Sequence, residues 1–584
     1  MSCGWTARST RSSTCTRVVR DLRHRLTATF GRSRRILDRR LLDGRLPEPT
    51  ARLLRELIRL EVTHRLRRAR ARFVASIRLD VGTPLRRSTS GTWRAWTTTG
   101  ELGVPLAEYG HLLATEVVTE FERADLAPFL VARSDEHLHF GLMADRRRDA
   151  LAVLAALGES STWYLRWRRG HRWHLSRPNS LLTRRATRAE CWHVFRCASM
   201  GPELVAGPEQ AVEISFWTPG SSGRHERLGH RGLERFDPAA AVTVETVDGH
   251  AYPGSSAFPV GRSLVELNEP VDVVYTWVDG DDPTWRTEFE HWKHIDDPDR
   301  RGDHAAHASR YASRDELRYS LRSLWSNAGW VRHVYIVTAD QVPDWLHQDD
   351  RLTVVPHHSI FPHEWLPTFN SHAIESRLHH IDGLAEHFVY LNDDMFLGRQ
   401  VAPGRFFTPN GLSRFFESGA RVPTVATGSP DLAVDTAARR GQRLIEDAFG
   451  VTVTHKLHHA PYALRRSVMF EVEERFREVV EATSRQRFRH PDDLSIPSAF
   501  AHHYGFCTGR AVPGDLHVGY ENLGSRRLGL FLRRALLGRD FDAFCINETE
   551  TWESDPARAA ASVRSFLARY FPVPSPWERP SAGS

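Results

Sequence analysis

Five aspartates sit where this sequence leaves apolar runs and enters turns. In HFVYLNDDMFLGR, His387 to Arg399, the apolar run Phe388 to Leu391 leads through Asn392 into Asp393 and Asp394. In VDVVYTWVDGDD, Val271 to Asp282, a similar run ends in Asp279, Asp281 and Asp282. Neighbouring side chains on an extended strand face opposite ways, so Asp393 and Asp394 need not share one task. If they converge to about 4 Å, they repel by about 4 kcal/mol at an effective dielectric near 20, and a cation relieves this. Carboxylate oxygens suit Mg²⁺ or Mn²⁺ better than zinc. Mg²⁺ commonly takes one or two carboxylates and completes its shell from phosphates and water. The chemistry implied is a metal-bound diphosphate, as in a nucleotide sugar. For Asp281 and Asp282, which precede PTW, helix capping or solvation competes with that reading.

The elements around these acids read as strands alternating with helices. VDVVYTWV is strand-like, rich in β-branched and aromatic residues. In SRDELRYSLRSLWSNAG, Ser313 and Glu316 fit a capping box, Leu317, Leu321 and Leu324 form one helical face, and Asn327 with Gly329 supplies a stop. A strand HVYIVT, a short helical piece PDWLHQ, a strand LTVV, a helix SHAIESRLHHI and the strand HFVYL follow. Short, nearly all-apolar strands alternating with helices predict an α/β domain with a mostly parallel sheet covered on both faces. Ligands bind such sheets at the carboxyl ends of the strands, so folding would gather the aspartates into one acidic pocket.

The rest of the chain supports this domain and adds to it. With 584 residues, 41% hydrophobic and 26% charged, it is long enough for several globular domains. Residues 1–100 hold 24 Arg against 7 Asp and Glu, a balance of +17 in a chain of net +7. Lys occurs only at 293 and 456, so a catalytic lysine has few candidates. Residues 1–50 read as poorly ordered. From Ala51 an Arg-rich helix carries Leu53, Leu54, Leu57, Ile58 and Val62 at helical spacing. A solvated helix packed on its own domain is the first reading. Peripheral contact of the basic N-terminus with an anionic membrane is the second. No nucleic-acid partner is expected, because no known binding motif accompanies the arginines. Residues 101–265 read as an α+β accessory domain, with helices near 106–122 and 145–157 and strands at HLHFGL and AVEISFW. His137 and His139 read as packed or solvent-facing. Six scattered cysteines do not make a disulfide framework, and CWHVFRC reads as a buried structural cluster. No apolar run approaches the roughly 18 residues of a membrane span, and the N-terminus has no apolar signal core. The expected location is cytoplasmic, with the inner face of the membrane as the variant.

Taken in order, DVVYTWVDGDD, RDELRYSLRSLWSNAGWVRHVYIVT, LPTFNSHAIESRLHHIDGLAEHFVYLNDDMF, HAPY and FRHPDDL resemble the Stealth family. That family includes bacterial capsular and exopolysaccharide sugar-phosphate transferases and the catalytic subunit of the lysosomal-targeting N-acetylglucosamine-1-phosphotransferase. The resemblance covers 270–420 and 450–575 within a catalytic domain at 266–584, and its motifs leave 1–265 aside. It implies a Rossmann-like nucleotide-sugar-transferase fold and a Mg²⁺ or Mn²⁺ cofactor. The implied reaction moves a hexose-1-phosphate or N-acetylhexosamine-1-phosphate from a UDP-sugar to a hydroxyl of a glycan or lipid-linked glycan, releasing UMP.

The resemblance also assigns residues. It places Trp277, Asp279 and Gly280 at the nucleotide, then Arg314, Glu316 and Arg318 on the next helix. Asn370, His372 and Glu375 follow, with Asp393 and Asp394 at the metal. The third block supplies His459, Arg489, His490 and Asp493, and the last supplies Asn547; Lys456, close to His459 and one of only two lysines, is a candidate phosphate contact by its rarity. Asp279 stands where some relatives have Asn. Asn547, Glu548 and Thr549 stand where relatives often have Asn-Asp-Asn. Arginine forks suit phosphate oxygens. His459 and Glu375 are rival bases for the attacking hydroxyl. Two alternatives remain: a metal-dependent glycosyltransferase releasing UDP, and a catalytically inactive scaffold or basic binding module.

Overall fold

The computed structural model describes residues 47–579 except 78–84, 90, 134–136, 160–162, 230–233, 261–263, 296–310, 424–432, 548–552 and 554. The chain divides into two compact units, Met1–Arg262 and Ser263–Ser584.

In the N-terminal unit the Arg-rich segment forms a helix over Glu48–Ile77. It buries Ala51, Leu57 and His64, while Arg52, Arg55 and Arg65 pair with Glu56, Glu48 and Glu61 of the same helix. Strand Leu85–Ser88 pairs in parallel with Leu204–Ala206, which ties the region before residue 100 to the region after it. Helix Leu106–Arg123 buries Leu113, Val117 and Phe121, one side chain per turn, and packs on an eight-stranded mixed sheet. Cys191 and Cys197 are buried free thiols.

The C-terminal unit is built on strands β1 (Val271–Thr276), β2 (Val334–Thr338), β3 (Leu352–Pro356) and β4 (His387–Asn392), in spatial order β3-β2-β1-β4. All of these pair in parallel. Every residue of β2 is buried, as expected where both faces of a sheet are covered. Strand order reverses between β1 and β4, so the crevice beyond their carboxyl ends is a topological switch point. The register sets Thr276 beside Asn392 there. Helix α1 (Pro283–Ile295) follows β1, and α2 (Glu316–Asn327) buries Leu317, Leu321 and Leu324 in the shared core.

After β4 the chain turns at Asp393 and Asp394 into β5 (Met395–Leu397). The segment from 455 onward then closes the fold. Strand β6 (Tyr462–Arg465) pairs antiparallel with β4 and forms the sheet edge. Strands β7 (Val518–Asn522) and β8 (Ala543–Asn547) pair in parallel, and β8 runs antiparallel to β5 with Cys545 opposite Met395.

Three local expectations are corrected. Asp315, in a left-handed conformation, is the N-cap of α2, not Ser313, although Glu316 still reaches back to accept the Arg314 amide. PDWLHQ is not helical; Leu346 bridges to Glu578, a pairing about 230 residues away that local periodicity does not register. SHAIESRLHHI divides into a short helix α3 (Ser371–Glu375) and a 3₁₀ turn at Leu378–His380. The break falls where Ser376 Oγ bonds the Ala373 carbonyl and meets Ser484 Oγ at 2.6 Å.

Candidate active site

Two carboxylates are fixed by the turn that joins β4 to β5. Asp394 Oδ2 accepts the Cys545 thiol at 3.2 Å. The Ile546 amide donates to the Asp394 carbonyl at 3.3 Å, so β8 holds the turn from the side. Asp394 Oδ1 is buried, has no hydrogen-bond partner among the described residues and lies 3.9 Å from His459 Nε2. Burial pushes the Asp394 carboxyl up, with the nearby His459 and the thiol opposing. Asp393 is pushed well above the carboxylate range, by burial first and then by the charges of Asp394 and Glu316. Glu316 is raised to about 7, mainly by burial, with Asp394 adding to it.

Four segments converge around this turn. His459 meets the Tyr462 hydroxyl through Nδ1 at 3.1 Å, which leaves Nε2 toward Asp394. Asn547 donates to the Tyr520 hydroxyl at 2.9 Å. Glu375 is buried at the end of α3 and accepts from Tyr390 Oη at 3.3 Å and Ser498 Oγ at 3.4 Å. Tyr390 also meets Thr276 at 3.0 Å, linking the ends of β4 and β1. Burial, then the charge of Glu375, holds the Tyr390 and Tyr462 phenols far above their usual range, so both stay protonated.

A second cluster locks distant segments together. Asp493 is wholly buried, and its Oδ2 accepts from Asn370 Nδ2 at 2.8 Å and the His490 amide at 2.9 Å, with His372 Nδ1 at 3.4 Å. Asn370 also caps α3 by accepting the His372 amide. Arg489 donates to Ser371 Oγ at 2.6 Å, and among the described residues no carboxylate pairs with it.

The remaining sequence-derived residues have structural partners. Trp277 is buried and its amide bonds Val337. Gln341 clamps the Asp279 backbone from both sides at 2.9 Å, and Asp279 Oδ1 accepts the Asp281 amide. Gly280 lies so close to Tyr311 that a Cβ would stand 2.5 Å from the Tyr311 carbonyl oxygen. Asp282 caps α1 through the Trp285 amide, and Asp281 pairs with Arg286, so the capping and solvation reading holds for both. The Arg314 guanidinium is 3.8 Å from Glu316. Arg318 lies 4.8 Å over the Trp345 ring and approaches Asp315 and Glu578. Lys456 pairs with Asp435. Glu548 and Thr549 lie outside the described residues.

Sequence reasoning did not single out Cys545, Tyr390, Tyr462, Tyr520 or Ser498. The thiol and the Tyr390 and Tyr462 hydroxyls sit in mostly apolar, buried strands, and only the pairing of β5 with β8 reveals that the thiol faces an acid.

The donor set fits a divalent cation. Ligand atoms of Asp394, His459 and Cys545 lie within 4.8 Å of one another, but an imidazole and a thiol are softer donors than Mg²⁺ or Mn²⁺ prefers, so the fit to such an ion rests on the carboxylates. Among the described residues two other groups share that closeness, Cys191–His193–Glu213 and His379–His380–Glu473, but their carboxylates already pair with Arg227 and Arg377. At the β4–β5 turn the orphaned Asp394 oxygen and the mutual repulsion of Asp393, Asp394 and Glu316 both call for positive charge. Asp393 and Asp394 would hold it, and hard oxygen donors suit Mg²⁺ or Mn²⁺.

A mostly parallel sheet with carboxylates at its switch point defines a class of α/β proteins in which ligands bind beyond the strand ends. Comparison places this chain more closely. Stealth conserved regions 1, 2, 3 and 4 match residues 269–289, 310–415, 458–506 and 534–584. The chain is 42% identical to an exopolysaccharide phosphotransferase of Streptomyces coelicolor, over 79% of this chain and 81% of the relative. It is 34% identical to one from Nocardia farcinica over 83% and 92%. It is 39% identical to the exopolysaccharide phosphotransferase CpsY of Mycobacterium tuberculosis over 64% and 71%. The chain belongs to the Stealth family. Every acid and base of the cluster lies inside a matched region. Among the described residues, no helix is long and apolar enough to cross a membrane.

Proposed function

We propose that this protein is an exopolysaccharide phosphotransferase that moves a hexose-1-phosphate or N-acetylhexosamine-1-phosphate from a UDP-sugar to a glycan hydroxyl, releasing UMP. The observation that carries this reading is the convergence of Glu316, Asp393, Asp394, His459 and Asn547, drawn from separate matched regions, on the switch point of a parallel sheet. That arrangement fits a nucleotide-sugar-transferase-like fold, with the nucleotide beyond the carboxyl ends of β1 and β4.

Phosphoryl transfer depends mainly on positioning and charge stabilisation. A Mg²⁺ or Mn²⁺ ion held by Asp393 and Asp394 would supply Lewis-acid stabilisation of diphosphate charge. The Arg489 guanidinium, bonded to Ser371 and unpaired with any described carboxylate, is free to donate to phosphate oxygens. His459 is the better-placed base. Its side chain is 30% exposed, so an acceptor hydroxyl can reach it, and Tyr462 fixes its ring. Glu375 is buried with both oxygens engaged and orients Tyr390 and Ser498 instead. In the balanced step His459 takes the hydroxyl proton, the acceptor oxygen bonds the sugar-linked phosphorus, and the bond from that phosphorus to UMP breaks. The bond between sugar and oxygen stays intact.

A donor labelled in the sugar-linked phosphate tests the reading. Label in the glycan with UMP released supports it. Label in UDP would replace it with a glycosyltransferase. Absence of any donor cleavage across a panel of UDP-sugars with Mg²⁺ or Mn²⁺ would leave the inactive-scaffold alternative.

A further inference from the structure

The N-terminal unit, outside all four matched regions, presents a basic aromatic surface of its own. The edge of its eight-stranded sheet is a hairpin of Tyr164–Arg169 and Arg172–Ser176, turning at Gly170 with φ of +56°. The register sets Arg168 opposite Trp173 and Arg166 opposite His193. Alternate strand residues share a face, so Arg166, Arg168, Trp173 and His193 emerge together, while Trp167, Trp192 and Val194 point the other way. Trp173 keeps 38% of its surface open. The Arg166 guanidinium lies 4.4 Å from its ring centroid, the Arg168 guanidinium 5.8 Å, and the His193 ring meets it edge-on at 4.8 Å.

Positive charge on this face is only partly neutralised. Glu190 takes Arg168, and Glu213 is taken by Arg227. Among the described residues no carboxylate pairs with Arg166, and the same holds for Arg169 and Arg172, which lie on the opposite face beside the turn. The imidazole of His193 is driven down to about 3, by burial first and then by His137, Arg166 and Arg168.

We propose that this face is a secondary binding site for a phosphodiester-linked glycan, the chemical class that the proposed reaction produces and on which this inference rests. Guanidinium forks match the non-ester oxygens of a phosphodiester. The open part of the Trp173 indole offers an apolar surface to a sugar ring. A nucleic acid fits less well, because single strands stack successive bases on a series of aromatic platforms, whereas of Tyr164, Trp167 and Trp173 on this hairpin only Trp173 is exposed. A membrane fits less well too. Interfacial anchors set aromatics among apolar neighbours, whereas Trp173 is flanked by exposed Arg172 and His174.

The test is calorimetric titration of the full chain, without donor, by a synthetic oligosaccharide of phosphodiester-linked glucose units. A neutral dextran of equal length, an oligouridylate and phosphatidylglycerol vesicles serve as rivals. The phosphodiester glycan should bind at least about tenfold tighter than dextran, and Trp173→Ala and Arg166→Gln should each weaken it by about tenfold. Transfer to a monosaccharide acceptor should stay at the wild-type rate in both variants. Trp173→Tyr, which keeps a ring, should retain most of the binding and guards against a folding defect in the alanine variant. Unchanged affinity in both Trp173→Ala and Arg166→Gln overturns the inference, as does tighter, Trp173-dependent binding of oligouridylate or vesicles. A chain that binds the glycan through Trp173 yet transfers no sugar phosphate upholds this site and removes the proposed reaction.

Discussion

After β1, Asp279 Oδ1 accepts the Asp281 amide, Asp281 pairs with Arg286, and Asp282 caps α1. After β4, Asp394 receives one thiol hydrogen bond, keeps a buried oxygen with no hydrogen-bond partner among the described residues, and adds its charge to the burial that raises Asp393 and Glu316. Both connections follow neighbouring parallel strands, and both are rich in aspartate. The first spends its carboxylates on local backbone and a surface arginine. The second leaves charge unmatched where burial makes it costly, and such charge is retained when a ligand completes it. Position after a strand is therefore a weaker sign of function than what remains of each oxygen once its neighbours are counted.

The comparison predicts a graded series of effects. Asp394→Asn keeps the shape of the turn and should lower turnover by about 10²–10³, the usual loss for one well-placed electrostatic stabiliser. Asp393→Asn should also fall, by less if it only orients its neighbour. Steady-state rates with circular dichroism as a folding control check both. A variant of either acid with full turnover would put the β4 connection in the same class as the β1 connection.

Next in size is a pH-dependent change in stability. Glu316 holds its proton up to about 7, whereas the unfolded chain releases it near 4.5. Between those values the folded state binds more protons, so this group favours folding at the acid end and loses that contribution as pH rises through about 7. The cation-free protein should therefore lose on the order of 2 kcal/mol from this source between pH 5 and pH 8. Mn²⁺ at pH 8 should restore part of it. Thermal melts of wild type and Glu316→Gln check this, because the variant should lack most of the slope.

Smaller effects belong to β1. Asp282→Ala removes a helix cap and should cost about 1 kcal/mol of stability with turnover preserved. Asp281→Ala breaks an exposed pair and should change stability by less than about 0.5 kcal/mol. Chemical denaturation resolves the first. A hundredfold loss of activity in either would erase the contrast between the two turns.

How far the sequence disclosed this arrangement depends on the range of the forces involved. The runs at 271–276, 334–338 and 387–392 are legible as strands because both faces are buried and nearly every side chain must be apolar. Asp393 and Asp394 stand out because they interrupt such a run. The break of SHAIESRLHHI after Glu375 is not legible, since it depends on Ser376 meeting Ser484 more than a hundred residues away. The bridge of Leu346 to Glu578 is hidden for the same reason. Lys456 stood out by rarity, yet its nearest charge is Asp435, a helix residue no local pattern pairs with it. Cys545 received no reading of its own in the sequence, and its contact with an acid appears only when β8 is laid against β5.

Cation binding distinguishes the two turns most directly. Mn²⁺ titrated into the protein with UDP present, followed by electron paramagnetic resonance, counts bound ions and gives their affinity. The account predicts one site in wild type and in Asp282→Asn, with affinity reduced more than about tenfold in Asp394→Asn. Wild-type affinity in Asp394→Asn, or its loss in Asp282→Asn alone, would contradict it.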